Sequence, residues 1–250
     1  MNIALKFAYD GRNFYGYARQ PKLRTVEGEI INNLIENKFI ESVKHSSFRS
    51  ASRTDKGVSA FCNIISFKTN KTIDNFLEYL SNLFEDIIFY GIKKTNPEFN
   101  PRYAKQRQYR YYLFSKNLDI EKIISASSVF TGRNDFSNFA RVEKHRSPIR
   151  VVDNIVFSEL DDFLIIDFFA QTYLWQQIRR IVSALEKVGK GKLDKEQILQ
   201  ALENPNKKVD FGIAKPEKLI LKNIIYDFNF NHNKIMLDRA KELEQKIIFY

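Results

Sequence analysis

The chain has 250 residues, 44% of them hydrophobic, enough for one sizeable domain or two small ones, each with a core. Its formal charge of +10 makes a polyanion the natural partner, and the excess is concentrated, because residues 101 to 150 hold eleven Lys/Arg against four Asp/Glu. No window approaches the ~18 uninterrupted apolar residues of a membrane span. Met1 to Lys6 lack signal-peptide anatomy, the single cysteine (Cys62) excludes an internal disulfide, and His45, His145 and His232 have no zinc spacing, so a cytoplasmic protein without structural metal is expected.

Ile3, Leu5, Phe7 and Tyr9 alternate as a half-buried strand does. The segment Asp10 to Pro21 follows, with two glycines, a proline, two arginines and three aromatics, and reads as an exposed arm suited to RNA contact. Thr25 is placed as an N-cap, with Ile30, Ile31, Leu34, Ile35 and Phe39 recurring at helical spacing. A strand over Phe61 to Phe67, a helix carrying Ile73, Phe76, Leu77, Leu80 and Phe84, and a strand over Ile87 to Ile92 complete a β-α-β-α-β first half.

The second half repeats the theme. Tyr109 to Phe114 reads as a strand, Asp119 to Phe130 as a helix and Gly132 to Phe139 as a polar loop. Val151 to Phe157 and Phe163 to Phe169 read as a hairpin across Asp161-Asp162, leading to the strongest helix, Leu174 to Val188, stopped by Gly189-Lys190-Gly191. A helix over Asp194 to Glu203, one or two strands within Leu219 to Phe230, and a charged, helical tail from Lys234 to Tyr250 finish the chain. The expected class is α+β: two halves, residues 1–104 and 105–250, forming one continuous sheet with a cleft at their junction.

Two stretches carry chemistry. In Arg49 to Ala60, Asp55 lies between Arg53 and Lys56 and is followed by Gly57, whose missing Cβ permits the sharp turn that presents a carboxylate at a loop tip. A nearby guanidinium keeps such a carboxylate ionised, as a nucleophile or base requires, although a capped turn with solvated cations has the same local pattern. In Arg102 to Tyr112, Arg102, Lys105, Arg107 and Arg110 interleave with Tyr103, Tyr109, Tyr111 and Tyr112, which pairs phosphates and stacks on unpaired bases, or else forms a basic strand with its tyrosines in the core.

Six motifs in order bring in a resemblance: Ala8-Tyr9-Asp10-Gly11 with Phe14 to Gln20, Arg24 to Gly28, Ser52 to Val58, Arg107 to Tyr111, Asp135 to Phe139, and Tyr173-Leu174 running into Ile178 to Val182. Nearly end to end, the chain resembles the TruA-type tRNA pseudouridine synthases. The resemblance implies two ferredoxin-like, RRM-like halves forming one mostly antiparallel sheet, with helices on one side and the RNA-binding cleft on the other. It implies a cofactor-free isomerisation of uridine to pseudouridine on the 3′ side of the tRNA anticodon stem and loop, and a homodimer that shares the tRNA.

By the same resemblance Asp55 is the nucleophile, Tyr109 packs on the target base and serves the late proton removal, and Arg179 pairs with the catalytic carboxylate. Arg53 contacts RNA beside the extruded nucleotide. Thr54, Lys56, Arg12, Arg19, Arg107 and Arg110 complete the expected substrate contacts. The chain departs from the family pattern at Ser52, where glycine is common, at Ser59, where histidine is frequent, and at Tyr17-Ala18, which replaces a common Trp-Gln. Two other classes stay open at this point: a non-catalytic RNA-binding module built on the basic aromatic strand, and a metal-dependent nuclease using Asp55, for which no companion carboxylate or histidine cluster is present in sequence.

Overall fold

In the computed structural model, which describes residues 1–71 and 74–249, the chain opens on the strand its alternation predicts, β1 (Asn2–Tyr9). Ala4 and Ala8 are as buried as Ile3, Leu5, Phe7 and Tyr9, so β1 is covered on both faces rather than half-buried. Thr25 caps α1 (Val26–Glu36) by accepting a hydrogen bond from the Gly28 amide, with Glu27 and Glu29 in the first turn, where the helix dipole favours anions. The helix stops before Phe39. Lys38 takes a left-handed φ of 58°, the Phe39 amide donates to the Leu34 carbonyl and the Lys38 amide to that of Ile35, a Schellman closure that folds Phe39 back into the core.

The short β2 (Arg49–Ser50) pairs with β3 (Ser59–Lys68), and α2 (Phe76–Ser81) precedes β4 (Ile87–Thr95). Ile73, expected in that helix, lies outside the described residues, and α2 ends before Phe84. β1 runs antiparallel to both β3 and β4, with Leu5 opposite Ile65 on one side and Ile92 on the other.

A second compact unit is built from β5 (Gln106–Phe114) onward. Asp119 caps α3 (Ile120–Ser127). Gly132–Asp135, expected as loop, is a strand, β6, paired with β7 (Ile149–Val152); its polar side chains hide the pairing from a hydrophobicity pattern. The expected strand from Val151 to Phe157 is therefore split at Asp153 between β7 and β8 (Asn154–Leu160), which belong to different sheets. β8 and β9 (Phe163–Ala170) form the predicted hairpin, Leu160 opposite Phe163, with Asp161 in the left-handed region at φ 49°.

α4 (Gln177–Gly189) buries Ile178, Ile181, Val182, Leu185 and Val188. It begins three residues later than its apolar pattern, because Gln176 sits at φ 62° and the Gln177 side chain accepts the Leu174 amide at 2.8 Å. Gly191, at φ +66°, closes it, and the capping box of Asp194 and Gln197 opens α5 (Lys195–Glu203).

The last elements return to the first unit. Ile220 and Leu221 of β10 (Leu219–Ile225) run parallel to Ser59 and Ala60, β11 (Asn231–His232) pairs with β4, and α6 (Lys234–Phe249) packs on β4, β1, β3 and α2. The compact units are accordingly Met1–Lys105 with Ile220–Tyr250, and Gln106–Leu219. The expected division at 104/105 put residues 220–250 with the second half; strand pairing to β3 and β4 and the burial of Met236, Ala240 and Ile247 place them in the first. The strand order is β11-β4-β1-β3-β10 in the first unit and β5-β9-β8 in the second, and only β10 with β3 is parallel among these pairs within a unit. Both units are α+β with mostly antiparallel strands, the class expected.

Two neighbours on α1 separate core from surface. Leu34 is fully buried and Ile35 is 38% exposed. Leu34→Ala should lower unfolding free energy by about 2–5 kcal/mol and Ile35→Ala by under about 1 kcal/mol, as read from urea midpoints.

Candidate active site

The segment 51–58 leads into β3, and its ends are tied to buried polar side chains. Asn63, fully buried in the middle of β3, donates through Nδ2 to the Ser52 carbonyl at 3.0 Å and accepts the Ile64 amide on Oδ1 at 2.8 Å. At the other end the buried Ser59 Oγ accepts the Gly11 amide at 2.9 Å. Between these anchors Asp55-Lys56-Gly57-Val58 forms a turn closed by the Val58 amide donating to the Asp55 carbonyl at 3.1 Å. Gly57, at φ +82°, fills the third turn position, which in a type II turn requires positive φ. The Asp55 side chain is half-buried at this turn, flanked by exposed Arg53 and Lys56.

The Asp10 to Pro21 arm was expected to be exposed; half of it is packed down on this turn instead. Its two glycines permit the approach. A Cβ on Gly11 would stand 2.0 Å from the Val58 carbonyl oxygen, and one on Gly16, which is at φ +96°, would press at 3.2 Å on the Lys56 amide nitrogen. The Tyr17 amide donates to the Thr54 carbonyl at 3.1 Å, and the Tyr9 hydroxyl shares a hydrogen bond with Thr54 Oγ1 at 2.8 Å. Phe14 and Tyr17 are buried, leaving Asn13, Tyr15, Arg19 and Gln20 at the surface. Thr54, expected as a substrate contact, is thus held from both its backbone and its side chain.

The cations of this unit differ in how they are held. Arg12 forks onto Asp10, Nε at 2.9 Å from Oδ1 and one terminal nitrogen at 2.6 Å from Oδ2, and that hydrogen bonding raises the guanidinium pKa. Arg19 is half-exposed, with Nε 3.7 Å from a Glu27 carboxylate oxygen. The Lys56 ammonium lies 4.2 Å from the centre of the exposed Tyr15 ring.

In the second unit the period of two sorts β5 onto two faces. Arg107, Tyr109 and Tyr111 share one face and are buried; Gln108 and Arg110 share the other, where both reach Asp167 on the partner strand. Arg110 and Asp167 are direct cross-strand partners joined by bonds of 2.9 and 2.7 Å, and the carboxylate raises the Arg110 pKa strongly. Arg107 donates to the Gln171 carbonyl. The basic and aromatic side chains that interleave in sequence therefore do not form one surface. Tyr109 meets Tyr173 edge-on, ring centres 5.4 Å apart at 86°. Burial pushes the Tyr173 hydroxyl pKa well up, and that hydroxyl has no hydrogen-bond partner among the described residues. Arg179, on α4, donates from Nε to the Ala214 carbonyl at 2.8 Å while its own carbonyl accepts the Ala214 amide at 3.0 Å, so its side chain leaves the helix in a set direction.

Sequence reasoning did not single out Tyr9, Asn63 and Ser59 as supports of the Asp55 turn, nor Asp167 and Tyr173 as partners of Arg110 and Tyr109. One signal was available: an asparagine inside the apolar run of β3 must find partners when buried. Among the described residues no three His, Cys, Asp or Glu side chains gather in a group able to hold a metal ion, and no helix is long and apolar enough to cross a membrane.

A family model described as tRNA pseudouridine synthase matches residues 126–227. The chain is 42% identical over 244 residues to tRNA pseudouridine synthase A of Thermococcus sibiricus, covering 96% of this chain and 91% of that protein. To the protein of the same name from Pyrococcus abyssi it is 41% identical over 252 residues, covering 98% and 93%. To that from Methanobrevibacter smithii it is 34% identical over 243 residues, covering 90% and 83%. Among solved structures it is similar, at a TM-score of 0.32 and 13% identity over 74% of this chain and 53% of the other, to a chain of an H/ACA RNP bound to a substrate RNA containing 2′-deoxyuridine, a likeness too remote to carry a conclusion. On identity sustained along nearly its whole length, the chain belongs to the tRNA pseudouridine synthase A family, isomerases that convert uridine to pseudouridine in tRNA.

Proposed function

We propose that this chain isomerises uridines on the 3′ side of the tRNA anticodon stem and loop, without a cofactor, through the carboxylate of Asp55. The observation that carries the reading is the Asp55 turn itself, pinned by Asn63, Ser59, Tyr9 and the Gly11–Gly16 approach so that a half-buried carboxylate is presented beside exposed Arg53. The glycosidic bond must break, the uracil must turn while held, and C5 must bond to C1′. Asp55 serves this by covalent addition, or by taking the C2′ proton to leave a glycal. Tyr109 packs on the base and assists the final loss of the C5 proton. Arg179 pairs with the Asp55 carboxylate, and its Nε bond to Ala214 supports that role by fixing the guanidinium.

The target base must leave the stack, at a cost of order a few kcal/mol, which contacts elsewhere on the tRNA offset. Arg53 fills the vacated space. Lys56 and Arg19, both exposed, meet the backbone directly, while Arg12, Arg107 and Arg110 contribute from held positions through their field and remaining N–H groups. We assign the working form as a cytoplasmic homodimer. Light scattering of the purified chain should give twice the monomer mass; a monomer that retains full activity overturns that assignment.

Unmodified tRNA transcripts incubated with the protein in EDTA should acquire pseudouridine, mapped by chemical modification and primer extension to the anticodon arm. Asp55→Ala should reduce the rate by at least about 10²–10⁴-fold while tRNA affinity stays within about threefold. Product at other positions overturns the assignment of target, and product formed by Asp55→Ala overturns the assignment of the carboxylate.

Two of the glycines at positive φ, Gly16 and Gly132, separate strain from contact. Gly132→Ala, with nothing within 4 Å of the added Cβ, should cost about 1–2 kcal/mol of stability and leave kcat unchanged. Gly16→Ala carries the same strain plus the push on the Lys56 amide, and should lower kcat about tenfold or more at temperatures where both variants are folded. Equal kcat in the two variants would show that the arm does not set the Asp55 turn.

A further inference from the structure

Trp175 is the chain's single tryptophan, and it stands at the surface just ahead of α4, 44% exposed, while Leu174 beside it is buried. Keeping an indole in water forgoes a large share of its burial free energy, so an exposed tryptophan in a chain with ample core calls for a cause. Its surroundings supply one. The Arg141 amide donates to the Trp175 carbonyl at 2.8 Å in an isolated bridge, and the Arg141 guanidinium lies 4.3 Å from the centre of the indole ring. Arg141 is itself exposed, and among the described residues its guanidinium has no carboxylate partner, in contrast to Arg12, Arg24, Arg110 and Arg180. No other aromatic ring pairs with Trp175 among the described residues, and at 44% exposure part of the residue's surface beyond the Arg141 contact meets solvent.

We propose that Trp175 and Arg141 form a nucleotide step for tRNA, in which the exposed indole stacks an unpaired base and the guanidinium takes the neighbouring phosphate. The inference rests on the tRNA reading of the preceding subsection and adds to it a binding site made wholly within the second unit. Three observations converge. An unneutralised cation clamped on a ring offers phosphate recognition and π-stacking at adjacent points, the pairing that single-stranded nucleic acid requires. The segment 141–150 continues the charge with Lys144, Arg146 and Arg150 against Glu143 alone. And Trp175 follows Tyr173, the edge-on partner of Tyr109, by two residues, which suits a base flanking the extruded uridine, one that has lost its stacking neighbour and gains from a replacement.

A single tryptophan makes the test direct, since emission excited at the red edge, where the chain's tyrosines do not absorb, reports Trp175 alone. Unmodified tRNA should be titrated while its binding is followed by the anisotropy of an end label. Emission should change with the same midpoint as binding, and acrylamide quenching of the bound protein should fall about threefold or more; heparin, a polyanion without bases, should leave acrylamide access unchanged. Trp175→Ala and Arg141→Ala should raise KM for tRNA about tenfold with kcat unchanged, and Trp175→Phe should recover most of the loss. Saturating tRNA with unaltered emission and quenching overturns the proposal and leaves the synthase reading standing. So does protection by heparin equal to that by tRNA, or a Trp175→Ala variant whose kcat and thermal midpoint fall while KM holds, which would make the pair a structural clasp. Absence of any tRNA binding by the wild type overturns the tRNA reading and this proposal with it.

Discussion

The approach of one backbone to another at Gly11 and Gly16 is the constraint on which the Asp55 loop depends. A turn at a loop tip is ordinarily among the softest parts of a fold. Here the arm crosses it so closely that a Cβ at Gly11 would stand 2.0 Å from the Val58 oxygen, and the contact is then secured by hydrogen bonds from the arm to Thr54 and to Ser59. Each such bond contributes only about 0.5–1.5 kcal/mol net, but leaving one of these buried groups unpaired costs more, so the arrangement resists partial opening. The clamp fixes the backbone that carries Asp55 while leaving its side chain half-buried, the placement that the proposed function asks of a reacting carboxylate.

Much of the fold was legible because it is local. Thr25, Asp119 and Asp194 mark helix starts by capping chemistry that operates within three residues, and Gly191 marks an end by its φ. The alternation of β1 and β5 and the 3.6-residue repeat of α4 are likewise properties of short windows. What was not legible is non-local or runs against type. β6 is a polar segment made a strand by β7, and the C-terminal strand and helix choose the first unit through pairings to β3 and β4 that no window contains. Gln176 in a left-handed conformation delays α4, a strained choice for a residue with a Cβ that apolar periodicity does not register.

The site divides in the same way. Asp55 was legible as a carboxylate in a glycine turn among cations, and Gly57 takes the positive φ its position requires. Interleaved cations and tyrosines on β5 read as one recognition surface, yet a strand sends alternate residues to opposite faces, and Arg110 is claimed by Asp167 across the ladder while Tyr109 turns to Tyr173. Sequence adjacency on a strand is therefore evidence against a shared surface, and only residues two apart could have been grouped.

Under the proposed tRNA reading, the partners of the arginines decide which of them a phosphate can recruit. The Arg19–Glu27 pair is long, at 3.7 Å, and half-exposed on the arginine side, the kind of pair whose loss costs about 0–1 kcal/mol, so a phosphate displaces it freely. Arg110 and Arg12 are different: their side chains are 24% and 28% exposed, but the carboxylates they hold, Asp167 and Asp10, are only 10% and 8% exposed. Drawing either arginine away would strand a largely buried carboxylate at a cost of about 3–5 kcal/mol, more than one phosphate contact returns. Under the proposed function these two guanidiniums stay where the fold puts them and act on RNA through their field and through nitrogens their carboxylates leave unused. By the same reading, exposed Arg53, Lys56, Arg19 and Arg141 are cations whose replacement should lower the salt dependence of tRNA affinity.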